Sequence, residues 1–321
     1  MRSAITTIFA VLMLALPLPA ATQGKTKGRP AAEFASAEQI LQWINGYRHN
    51  PEPARLSAAV QAMNRLGLLR DPDTTGVYIG FMAGVIGDNP KTAETLIAKM
   101  FPMPPEEQVV IIKAIAYSGL ADWKSLLSKF VERMPARRVL IEQYFYGKAK
   151  VLAELPLDTG ATAIDAHWGY YFATGYAAPV LRIMSALPWS QDKSDLNKLT
   201  IGSMAKWTLA TNATRDKDLL DIYREQIRYQ PKEVATPLRE VIAAAESHDT
   251  ARIRQQAVAA IEELKRNGPP KTGFAWWANT AATVISVGCV AATVTGHAEI
   301  AVPCIITGAV TAAAGKLLGG Q

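Results

Sequence analysis

The sequence predicts an all-α protein: a helix-hairpin repeat array (α-solenoid-like) followed by a C-terminal apolar helical hairpin. Three observations carry this reading. Apolar residues recur at helical spacing along the body, as in Val180, Ile183, Met184 and Leu187. Helix-ending glycines and helix-starting prolines alternate in a regular order, as in Gly175 and Pro179 between two such runs. Alternating apolar and polar runs bounded by turn pairs, the signature of strands, are absent.

The first element is a targeting segment. Met1-Arg2 is a positive start, Ile5 to Leu18 is an apolar run, and Pro19-Ala20-Ala21 supplies small residues for cleavage. Residues 1–22 therefore read as a signal peptide and 23–35 as a flexible lead-in, so the protein is expected to be exported, either periplasmic or secreted. Gly24-Lys25-Thr26 resembles the end of a phosphate-binding loop, but Pro19 stands where the leading glycine belongs.

A repeat domain is expected over 36–268. Ser36 and Gln39 form a capping box, and Ile40, Leu41, Trp43 and Ile44 give the first helix its apolar face up to Gly46. Pro53 opens the next, with Leu56, Val60 and Met63 buried. Val77, Tyr78, Phe81 and Met82 form a third, expected to end between Gly84 and Gly87. Asn89-Pro90 restarts the chain, Pro102, Pro104 and Pro105 stop it, and Glu106 and Glu107 sit at the following helix start, where carboxylates suit the dipole. Val109 to Tyr117 is apolar up to Gly119. Tyr170 to Thr174 end one helix and Pro179 starts its partner. Glu233 to Ser247 and Asp249 to Asn267 read as an antiparallel pair, Asp249 being the cap.

The helix ends at Gly46, Gly84, Gly119, Gly175 and Asn212 align, and most intervals are 35 to 38 residues. That is the period of helix-hairpin repeats. Asparagine at 212 is compatible because it tolerates the left-handed conformation. Tetratricopeptide units share only this period, and their other consensus positions are not filled.

Gly268-Pro269-Pro270 marks a boundary, with a linker over 269–273. From 274 to 321 the chain is Gly/Ala-rich, and only Glu299 and Lys316 carry charge. Two apolar runs flank Gly296-His297, so an apolar helical hairpin is expected, membrane-associated or capping the array. Thr307, Thr311, Gly315 and Gly319 form a small-residue ridge. Cys289 and Cys304 fall on opposite sides of the turn, and in an exported protein a disulfide between them is expected.

Composition excludes more chemistry than it suggests. The net charge is +6, but four cations (Arg2, Lys25, Lys27 and Arg29) lie in the leading segment, which argues against nucleic acid. His49, His167, His248 and His297 are scattered, so no metal site is expected. Asp165 and His167 are two residues apart and point away from each other on a helix. No Ser-centred elbow is present, and Ser247-His248-Asp249 are adjacent residues that cannot form a triad. No catalytic residue and no cofactor is assigned. Lys129 to Lys150 is basic, with Tyr144, Phe145 and Tyr146 interleaved, and reads as the solvated face of a core helix or as a contact for anionic lipid or an acidic partner. Tyr170, Tyr171 and Tyr176 are the candidate contact residues, at least one of them expected to sit in the core. The leading expectation is a non-enzymatic helical-repeat protein that binds a protein or peptide partner in the cell envelope. The alternatives are a cell-envelope glycan hydrolase and a membrane-active secreted protein acting through 274–320.

Overall fold

A computed structural model of the chain describes residues 34–71 and 74–267. The expected signal peptide (1–22), most of the expected lead-in, the expected linker, the segment expected to form the C-terminal hairpin and both cysteines lie outside these residues. Every regular element among the described residues is helical. In chain order they are α1 (Ala37–Gly46), α2 (Leu56–Arg65), α3 (Gly76–Asp88), α4 (Ala93–Ala98), α5 (Gln108–Ala116), α6 (Trp123–Ser128), α7 (Arg138–Phe145), α8 (Ala161–Thr174), α9 (Ala177–Met184), α10 (Leu196–Ala213), α11 (Lys217–Gln226), α12 (Lys232–Glu246) and α13 (Thr250–Asn267), joined by short 3-10 turns. No described helix is long and apolar enough to cross a membrane.

Local chemistry explains many of the ends. The Gln39 N–H donates to Ser36 Oγ at 3.3 Å, and the Gln39 side chain accepts from the Ala35 N–H at 2.7 Å, one residue before the expected reciprocal bond. Gly175 takes the left-handed conformation (φ 71°), and its N–H closes α8 on the Tyr171 carbonyl at 2.7 Å. Pro179 lies in the first turn of α9, where its missing N–H costs little. Asp195 and Asp216 cap α10 and α11 with their carboxylates. Glu107 stands at the N-cap position of α5, at the expected helix start, and is buried there. Asn89 serves the end of α3 by donating to the Val85 carbonyl at 2.8 Å rather than starting α4.

Gly46 and Asn212 stand at helix ends without the left-handed backbone: Gly46 closes α1 in a right-handed conformation, and Asn212 is the penultimate residue of α10. Gly84 is corrected, because it lies inside α3, which runs on to Asp88. The left-handed exit is realised at Gly119 and Gly175, and also at Gly147.

The core explains the position of Gly84. From Gly76 to Ile86 every residue of α3 is buried, as are most residues of α8 and α10. Such helices have no solvent face and can only be central. α3 and α8 run parallel: Gly76 faces Thr162, Gly80 faces Ala166 and Gly84 faces Ala173. Gly80 and Gly169 let the two backbones touch, since a Cβ at 80 would overlap the Ala166 carbonyl and one at 169 the Val77 carbonyl. On the other side of α8 the Trp168 indole N–H donates to Thr208 of α10 at 3.1 Å. Trp43 and Tyr47 from the α1 region meet Phe81 edge-on at 5.0 Å each. In a simple solenoid each unit touches only its neighbours. Here α3 contacts α8 although four helices, α4 to α7, lie between them in the chain.

Candidate functional site

The C-terminal ends of α1, α3, α5 and α10 gather around the C-terminal end of α8. Tyr170 donates to the Ser118 carbonyl just after α5 at 3.1 Å. Tyr176 donates to Asp88 at the end of α3 at 3.0 Å. Tyr171 donates to Asp216, just past α10, at 2.9 Å. The turn after α1 adds Arg48, whose guanidinium lies 5.1 Å above the Tyr171 ring.

Arg48 is the hub of this end. It forks onto Asp216 at 2.6 Å and Asp218 at 2.7 Å, with its side chain only 9% exposed. Asp216 is simultaneously the cap of α11, accepting the Asp218 N–H at 3.1 Å on its other oxygen. One carboxylate thus fixes a helix start, a cation and a tyrosine hydroxyl. A fork suits this geometry because a guanidinium presents two parallel donors. Beside the pair lies a cleft of about 300 Å³ whose walls include Asn45, His49, Phe172, Asn212, Arg215 and Lys217. Both charge signs and several amides meet there, a lining suited to a polar ligand rather than a greasy one.

The electrostatics favour holding over reacting. Asp216 is paired with Arg48 and accepts the Tyr171 hydroxyl. Burial, then the Asp216 charge, pushes the Tyr171 hydroxyl far up, so it stays protonated. Burial and Asp88 push the Tyr170 hydroxyl up to about 12. Among the described residues, no group of three His, Cys, Asp or Glu side chains could hold a metal ion.

The three tyrosines chosen from sequence therefore have different places. Tyr171 is fully buried and takes the core role, Tyr170 is half-buried, and Tyr176 is 54% exposed. His167 is buried, with no hydrogen-bond partner on either ring nitrogen; desolvation, then Arg182, lowers it to about 4. It is a packed neutral ring. Cys289 and Cys304 lie outside the described residues. Arg48, Asp216 and Asp218 were not singled out from the sequence. The only local signal was Asp216 ahead of a charged helix start.

No family model, curated protein or solved structure matches this chain.

Proposed function

We propose that the chain is an exported, non-enzymatic helical-repeat protein that binds a protein or peptide partner in the cell envelope. The observation that supports this most directly is the end of the molecule where the helix termini gather. A polar cleft lies there beside the Arg48–Asp216 pair, and Tyr176 stands exposed at the same end. Amides and charges of both signs suit a peptide's own N–H and C=O groups, and the two acids of the cleft, Asp216 and Asp218, are both paired with Arg48. In this reading the repeat architecture consists of two short runs of helix pairs, one before and one after residue 150, joined through α3 and α8. The segment 274–320 anchors the protein to a membrane or caps the array, held by a Cys289–Cys304 disulfide.

The test is photo-crosslinking in the exporting cell. A photoreactive residue is placed at Tyr176, with Tyr229, exposed on another segment, as the control. A defined partner should attach at 176 and not at 229, and its purified form should bind the wild type and lose affinity for Tyr176→Ala. Identical products at both positions, or unchanged affinity in the variant, would remove the proposal.

A further inference from the structure

Among the described residues, the face of α7 turned away from the core has no partner. Ile141 and Tyr144 face the core and are buried. Val139 is 71% exposed and Tyr146, immediately after the helix, 76%. Seven residues apart, they lie on one side of the helix, about 10 Å from each other. They are two of the five large apolar side chains that stand exposed among the described residues.

The charge along this stretch of the chain is one-sided. From Lys124 to Lys150 the sequence holds seven cations (Lys124, Lys129, Arg133, Arg137, Arg138, Lys148 and Lys150) against Glu132 and Glu142, a net of +5, where the whole chain carries +6. Among the described residues, only Lys129 of these has a close ion pair, with Glu94 at 2.6 Å. Arg138 meets Glu142 at a long 3.6 Å. Arg137 donates to the Pro105 carbonyl and Lys124 to the Phe145 carbonyl, so both keep their charge without an acid. Arg133 lies over the Phe101 and Phe130 rings. Lys148 and Lys150 are exposed.

We propose that this face docks on an anionic lipid surface. The cations supply attraction to lipid phosphates. Tyr146 is an amphipathic ring suited to the headgroup level, and Val139 adds a small apolar foot. Both are largely exposed, as a contact with a soft plane requires. The proposal does not rest on the cleft at the helix ends.

Co-sedimentation of the full chain with phosphatidylcholine vesicles, with and without phosphatidylglycerol, tests this. The expected result is association that needs phosphatidylglycerol and weakens with salt. The triple variant Arg138→Gln, Lys148→Gln, Lys150→Gln should weaken it on the order of a hundredfold, at about fivefold per removed cation. Tyr146→Ala should weaken it further without changing the salt dependence. The substituted residues are exposed, and an unchanged circular dichroism melt checks the fold. Because the variants leave both apolar ends of the chain intact, equal binding by wild type and triple variant would overturn the proposal. Absence of binding to phosphatidylglycerol vesicles, or retention of an acidic protein in place of vesicles, would also overturn it.

Discussion

Gly80 rests against the carbonyl of Ala166 with no room for a single carbon between them. The contact is backbone to backbone, so a side chain cannot swing aside to relieve it. Gly80→Ala and Gly169→Ala should each lower stability by about 2 kcal/mol, since overpacking outweighs the helix propensity that alanine gains. Gly46→Ala has nothing within 4 Å of its new carbon and a right-handed backbone, and should be neutral or slightly stabilising. Urea midpoints at unchanged slope would check all three.

Removing Arg48 strands Asp216 in a site where its side chain is only 16% exposed. Arg48→Ala should cost about 3 kcal/mol, the low end for breaking a buried pair, because Asp218 remains largely in water. Arg48→Lys should recover only part of this, since an ammonium cannot fork onto two carboxylates. A double-mutant cycle with Asp216→Asn would isolate the coupling.

His167 gives a pH dependence of definite sign. Its folded pKa, about 4, lies below the ordinary 6.5, so the fold prefers the neutral ring. The stability tied to that ring is complete above pH 6.5 and is lost as pH falls from there toward 4, in total about 3 kcal/mol. Burial raises Glu107, which acts in the opposite sense and favours the fold in acid. Comparing the pH–stability curve of wild type with that of His167→Phe separates the two, because the variant should lose the decline and keep the rest.

Tyr171→Phe keeps the buried ring but leaves Asp216 without its 2.9 Å hydroxyl donor, and should cost about 1 kcal/mol in thermal or urea unfolding. Tyr176→Ala, at an exposed position, should stay within about 0.5 kcal/mol of wild type. A larger stability loss at 176 than at 171 would reverse the assignment of core and surface.

Local signals were legible and long-range ones were not. The Gly175 exit, the Ser36 cap and the α12–α13 pair follow from residues within a few positions of one another, which is the range over which capping chemistry acts. Gly84 was read as a helix end because glycine usually marks one. Its actual use, with Gly76 and Gly80 at four-residue intervals, is to let another helix approach, and the identity of that helix is not encoded nearby. Arg48 and Asp218 are 170 residues apart. No periodicity links them, and only the gathering of helix ends brings them together. The three tyrosines could not be sorted from the sequence, because α8 is buried on nearly every side and shows no apolar stripe to contrast with a wet one.

The pairing of α3 with α8 also sets the order in which the chain can fold. Contacts of such large sequence separation are slow to form, because a long loop must close before they repay its entropy. Until residues 161–174 are available, α3 can pack on the α1 region and on α5 but lacks the helix that Gly76, Gly80 and Gly84 face. A fragment ending before Ala161 should therefore aggregate, while a chain threaded unfolded through a membrane would carry its central helix loose until its second half had crossed.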